Sequence, residues 1–268
     1  MSPREPVAWP PGVLVFGAAG SGVPLAVAAL EADGLEARGW EGGDQGAPPR
    51  PPGEPDGLPL PALLHLEAAD STLVQRAAPP WAETELPRDG LAAARALEEV
   101  AERIFPWRLR ATASLDTTQL SAQILKARTR QLSRFLAREP PEAVGVVLES
   151  FGYPRGLPRD LGLAIDTRAL RNPYWEPSLR LLTGLDPEVR DFVLAQPLAE
   201  KLVDGTVELI QGQLGGLRAR SRRLLRVGVG CTGGVHRSVV VTEELGLRLH
   251  LAGVTDVLIW HRDLPRPL

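Results

Sequence analysis

The sequence predicts an α/β protein of two domains, each built on a mostly parallel sheet. Three observations predict it. Short apolar runs of strand length alternate with longer stretches of helical periodicity. Two of those runs, residues 13–16 and 224–229, lead into glycine-rich loops followed by apolar helical stretches, the layout of a phosphate-binding strand–loop–helix unit. The dipeptide Pro140-Pro141 after Glu139 breaks the alternation near the middle of the 268-residue chain, a length that suits one or two domains. The expected division is 1–138, a degenerate P-loop NTPase-like domain, and 143–268, a domain around a phosphate-binding loop.

Composition narrows the class. The chain is 44% hydrophobic with a net charge of −3, so bulk charge argues neither for nor against nucleic acid. Residues 143–268 carry 16 basic and 14 acidic side chains, against 14 and 19 before them. One cysteine, Cys231, excludes an internal disulfide and any multi-cysteine metal centre. No apolar run approaches a membrane span, and the N-terminus carries no signal-peptide core. A cytoplasmic protein without a metal site or membrane contact is expected.

Residues 13–16 read as a buried strand. The loop Gly17-Ala18-Ala19-Gly20-Ser21-Gly22 follows, and then a helix over 25–30. A nucleotide-binding P-loop needs Lys and then Ser or Thr straight after its last glycine; here Val23 and Pro24 stand there. Pro24 suits the first turn of a helix. The loop is therefore read as a tight strand-to-helix turn. Gly17, Gly20, Ser21 and Gly22 are its candidate contacts if ATP or GTP binds, and no cofactor is required. Residues 41–62 are Gly/Pro-rich and read as a linker. A second strand is expected over 60–66, then Glu67 and Asp70 near a short helix over 72–76. An amphipathic helix follows over 90–104, and a strand over 111–115. Asp116-Thr117-Thr118 is expected to cap a helix reaching about Ala137, with Lys126, Arg128, Arg130 and Arg134 on its solvated face.

In the second half a strand is expected over 144–148, a turn over 149–153, and a strand over 163–165 that delivers Asp166-Thr167-Arg168. A polar, aromatic loop follows, Arg171-Asn172-Pro173-Tyr174-Trp175-Glu176-Pro177. Helices are expected at 187–195 and 198–219, and a last strand over 257–260. The stretch from Val227 to Val239 is the centre of the chain. It holds Gly228, Gly230, Gly233 and Gly234, Cys231, and the run His236-Arg237-Ser238 before a helix over 239–251. Glycines let backbone approach a ligand, the helix start offers free N–H groups and its positive dipole end, and Arg237 adds a planar grip on phosphate oxygens. With Asp166 and Arg168 at a neighbouring strand end, the set describes a site for a small phosphorylated polyol or sugar. Otherwise Asp166 and Arg168 make a surface ion pair worth under about 1 kcal/mol. Cys231, five residues, Arg237 and Ser238 also match the spacing of cysteine-dependent phosphatases; the plainer role for Cys231 is a small residue filling a tight loop.

The segments 149–152 (Glu-Ser-Phe-Gly), 166–168 (Asp-Thr-Arg), 172–173 (Asn-Pro), 183–186 (Thr-Gly-Leu-Asp) and 230–238 (Gly-Cys-Thr-Gly-Gly-Val-His-Arg-Ser) resemble the RapZ/YvcJ family of nucleotide-binding, RNase adapter proteins, most closely over 144–262. The resemblance implies a C-terminal domain that senses glucosamine-6-phosphate and, in enterobacterial members, presents small RNA to an endoribonuclease. It carries the sugar-phosphate pocket onto Asp166, Arg168, Thr232, Gly233, His236 and Arg237; Asn172, Tyr174, Cys231, Gly234 and Ser238 complete the candidate set. It implies ATPase and GTPase activity at 17–24, where Val23 and Pro24 replace the family's Lys and Ser. Tyr174 stands where enterobacterial members have His, and Val235 where they have Lys; residues 262–268 hold no lysine where those members have a lysine-rich tail. Arg218, Arg220, Arg222, Arg223 and Arg226 form the alternative basic surface for RNA. The reading is a regulatory adapter, a homo-oligomer without catalysis of its own, with an NTPase or a Cys231 phosphatase as the alternatives.

Overall fold

In the computed structural model the described residues are 12–41, 62–77, 90–137, 144–220 and 222–264. The chain divides into two compact units, Met1–Glu139 and Pro140–Leu268. The Gly/Pro-rich linker, apart from its end residues, and the Glu139-Pro140-Pro141 boundary lie outside the described residues.

The first unit holds β1 (Val13–Gly17), α1 (Val23–Ala32), β2 (Ala37–Glu41), β3 (Ala62–Glu67), α2 (Asp70–Ala77), α3 (Gly90–Arg108), β4 (Ala113–Asp116) and α4 (Ala122–Leu136). Its four strands are parallel in the order β2-β1-β3-β4. β1 is buried throughout and β3 almost so, as expected of strands covered on both faces. One face packs Leu14, Phe16 and Leu63 against Val100, Ile104 and Trp107 of α3; α1 packs against α4. β2 has no counterpart in the sequence reading. It is an edge strand in which only Trp40 is buried, so it lacks the apolar run of its neighbours.

Two first-unit readings are corrected. Asp116-Thr117-Thr118 does not cap α4: Ser121 is the cap, accepting the Ile124 N–H at 3.4 Å, while Asp116 Oδ1 accepts from Thr118 within the preceding turn. Arg128 is buried rather than solvated.

The second unit holds β5 (Gly145–Gly152), β6 (Leu163–Asp166), α5 (Pro187–Leu194), α6 (Pro197–Ala219), β7 (Leu224–Cys231), α7 (Arg237–Leu251) and β8 (Val257–His261), with short 3₁₀ turns at Tyr153–Arg155 and Pro173–Trp175. The strands are parallel in the order β6-β7-β5-β8. Val146, Leu148, Val227 and Val229 meet Val189, Val203, Ile210, Val241 and Leu245 in the core. Residues 149–152 are not a turn. They continue β5, fully buried, in register with Gly228 to Cys231 of β7. Glu149 misleads because its charge is met inside the fold: its carboxylate lies 2.7 Å from Arg226 Nη2. Because all four strands run the same way, Gly152, Asp166, Cys231 and His261 end on one edge of the sheet, where ligands of open α/β sheets bind. Among the described residues no helix is long and apolar enough to cross a membrane.

Candidate functional site

β7 runs into the loop 232–236, and α7 starts at Arg237. β5 can end against this loop because Gly152 has no side chain: a Cβ there would lie 2.8 Å from the Gly233 carbonyl carbon. Gly234 meets it from the other side with φ +74°, and a Cβ there would lie 2.8 Å from Asp263 Cβ. Both glycines are therefore required by close approach, and Gly234 also by its left-handed backbone. The Asp263 carboxylate accepts the Gly152 N–H at 2.6 Å and pairs with Arg155 and Arg262 at 3.0 Å each. Those partners outweigh its burial and hold its pKa below the ordinary carboxylate value. Asp263 braces the loop from behind. No sequence pattern marked it, because it follows the last strand and reaches the loop only in three dimensions.

Inside the loop, Cys231 is 2% exposed. Its Sγ accepts the Gly234 N–H at 3.1 Å and lies 3.1 Å from Ser238 Oγ. The thiol thus ties the strand end to the loop and to the helix start. His236 is the N-terminal cap position of α7, yet no side chain caps that end, so the 15-residue helix keeps its dipole end available to an anion.

Arg237 is the most informative side chain. It is 4% exposed. Nη1 donates to the carbonyls of Arg168 at 3.1 Å and Leu170 at 2.9 Å, and Nη2 donates to Thr232 Oγ1 at 3.0 Å. Nε is buried and has no hydrogen-bond partner. Nε and Nη2 share one edge of the planar guanidinium, the edge that grips an oxyanion side-on. One half of the fork is fixed to backbone, while the other faces the loop with a donor unspent. Burial is the main cause that lowers the Arg237 pKa, against Cys231 and Asp166, which raise it; an arginine stays charged regardless.

At the rim, Asp166 and Arg168 form a bidentate pair with Nη2 2.6 Å from Oδ2, and the Arg168 N–H donates to Asp166 Oδ1 at 2.9 Å. The Arg168 side chain, as the leading cause, lowers the Asp166 pKa, so the carboxylate stays ionised at neutral pH. The Arg168 guanidinium also lies 3.9 Å above the Tyr153 ring. Burial lowers the pKa of His236, opposed by the Leu182 backbone, and its Nε2 is buried without a partner. Burial thus favours the neutral ring.

The structure brings Asp166, Arg168, Cys231, Thr232, Gly234, Arg237 and Ser238 into one bonded cluster, with exposed Gly233 at the mouth of the loop. Asn172 and Tyr174 sit on a separate 3₁₀ turn. Asn172 Oδ1 caps it at 3.4 Å from the Tyr174 N–H, and the Tyr174 ring lies 5.1 Å from the Arg180 guanidinium. Gly17, Gly20, Ser21 and Gly22 belong to the other unit. Of the arginine cluster, Arg218 and Arg220 are exposed at the end of α6, and Arg222 and Arg223 are half-buried. Arg226 is corrected: it is 3% exposed, paired with Glu149 and donating to the Arg159 carbonyl at 2.9 Å. A buried guanidinium with those partners is not an RNA-contacting surface.

Residues 144–265 match the RapZ C-terminal domain family. A nucleotide-binding protein of Corynebacterium aurimucosum is 39% identical over 206 residues, covering 77% of this chain and 69% of the relative. Nucleotide-binding proteins of Frankia casuarinae and Rubrobacter xylanophilus are each 39% identical, over 77% and 75% of this chain and 70% and 66% of their own lengths. The chain therefore belongs to the RapZ family of proteins.

Proposed function

We propose that the second unit binds a phosphorylated amino sugar, glucosamine-6-phosphate or a close relative, and that the protein is a regulatory adapter whose output is an RNA, an endoribonuclease or another protein. The single observation that carries the site reading is the unspent Nε of Arg237, buried on the edge facing Thr232 at an uncapped helix start. A phosphate there would take the Nε–Nη2 fork and the positive end of α7. Asp166, held ionised by Arg168, would take the ammonium or a hydroxyl of the sugar. Such a ligand satisfies an otherwise costly buried donor.

A thiol phosphatase is the second reading, favoured by the 3.1 Å contact of Cys231 with Ser238. It needs a proton for the departing alkoxide. Asp166, the carboxyl at the rim, is held ionised and is a poor donor. The loop is built to hold phosphate rather than to cleave it. The relatives' name makes a nucleotide the other candidate ligand.

The test is calorimetric titration of the full chain with glucosamine-6-phosphate, glucose-6-phosphate, glucosamine, ATP and GTP. Tight binding that needs both the phosphate and the amine supports the proposal. Binding of ATP or GTP in preference to the sugar phosphates overturns it.

A further inference from the structure

The loop Gly17–Gly22 joins β1 to α1, the place of a nucleotide's phosphates in a P-loop protein. A P-loop works because backbone N–H groups surround the phosphate and a lysine neutralises it. Here the polarity is reversed. The guanidinium of Arg76, from α2, reaches across to the loop: Nη1 donates to the Gly20 carbonyl at 3.2 Å and to Thr117 Oγ1 at 3.1 Å. Nη2 donates to the carbonyls of Thr117 at 2.6 Å and Leu120 at 3.2 Å. Thr117 Oγ1 in turn donates to the Ser21 carbonyl at 2.9 Å. Two carbonyls of the loop are thus turned toward a cation and its threonine.

Two of the positions that would face a phosphate offer no free N–H. The Ser21 N–H donates to the Ala18 carbonyl at 3.0 Å, and Pro24 has no N–H to offer at the start of α1. The space is filled as well. Ser21 is fully buried, and its hydroxyl lies where a side chain at Gly17 would be. Leu125 of α4 lies directly against Gly22, which has φ +101°. Val23, in the lysine position, is buried, with Cγ1 2.7 Å from the point a Cβ at Gly39 of β2 would occupy. The residues present do not fit a nucleotide triphosphate.

We propose that Arg76 is an internal latch: it joins the β1–α1 loop to the segment after β4, and the loop admits no nucleotide. The first unit is then a closed structural module, and nucleotide binding inferred from its strand–loop–helix layout does not extend to this chain's loop.

The experiment uses the full chain and two readouts. The first is amide hydrogen exchange over Gly17–Val23 with and without ATP or GTP and magnesium. The expected result is no change, and nucleotide-dependent protection of that segment overturns the proposal. The second is the same exchange in Arg76→Ala. The loop should exchange about tenfold faster or more, the loss of charged hydrogen bonds, while residues 144–264 are unaffected. If the alanine variant fails to fold, Arg76→Lys serves: it keeps the charge but not the fork and should also loosen the loop. An unchanged rate in a folded variant shows that Arg76 latches nothing.

Discussion

Arg237 concentrates three jobs in one side chain. Nη1 holds the backbone at Arg168 and Leu170, Nη2 holds Thr232, and Nε, buried without a partner, is the donor the proposed phosphate would take. Arg237→Ala should weaken sugar-phosphate binding by about 1.5–3 kcal/mol, the range of a charge-assisted hydrogen bond. Arg237→Lys should recover little of that, because a point charge does not reproduce the fork; titration of both variants checks it. His236 makes a prediction about pH. Its folded pKa lies below the ordinary 6.5, so the unfolded chain binds the proton more readily. The stability it contributes is present above 6.5 and is lost as the pH falls through the lower folded value. Chemical denaturation as a function of pH should show a stability loss below 6.5 that is smaller in His236→Gln. An identical profile in the two proteins would show that the ring is not held neutral. Arg237, His236 and Thr232 were legible in the sequence because one loop carries them. Asp263 and Tyr153 were not, because each reaches that loop or its rim from a different strand end.

At the scale of elements, β5 and β7 form the centre of the second sheet, and the ion pair of Glu149 with Arg226 lies between them. Both side chains are almost fully buried, so removing one takes the oppositely charged neighbour from a buried charge. Arg226→Met should cost about 3–5 kcal/mol of stability, the range for breaking a buried pair. The double variant Glu149→Leu/Arg226→Met should recover much of that loss. Urea unfolding checks both, and a single variant as stable as the parent would contradict the role given to the pair. The same pair explains why the second half of β5 was misread. A glutamate and a serine after an apolar run resemble a strand's end, and only the arginine 77 positions later shows that the charge is met inside. β7 was likewise legible to Val229 but not through Gly230 and Cys231, because glycines in a buried strand read as loop. β2 was missed for the opposite reason: at an edge it needs only one buried side chain. A mostly parallel layout was legible, since apolar strands alternate with helices; every strand pair described is in fact parallel.

At the scale of the whole molecule, the two units repeat one device, a strand, a glycine-rich loop and a helix, with opposite outcomes. Neither helix start carries a side-chain cap, but in the second unit the loop keeps an unspent guanidinium donor. In the first, Arg76 and Ser21 fill the loop from within. The sequence distinguished the two only through Val23 and Pro24; the latch itself is 56 positions from the carbonyl it binds. If an RNA is the output partner, phosphate contacts should dominate and affinity should fall steeply with salt. Arg218 and Arg220 are the exposed members of the arginine cluster. Replacing both with alanine should weaken binding across sequences alike, since such contacts position rather than specify. Gel-shift titration at two salt concentrations checks it, and undiminished binding in the double variant would move the RNA surface elsewhere. If ligand chemistry resides in the second unit's loop, the most direct measurement of it is amide hydrogen exchange across the full chain with saturating glucosamine-6-phosphate. Protection should appear over residues 231–238 and at Asp166–Arg168, with none over 17–23; protection confined to 17–23, or none at 231–238, would contradict the account.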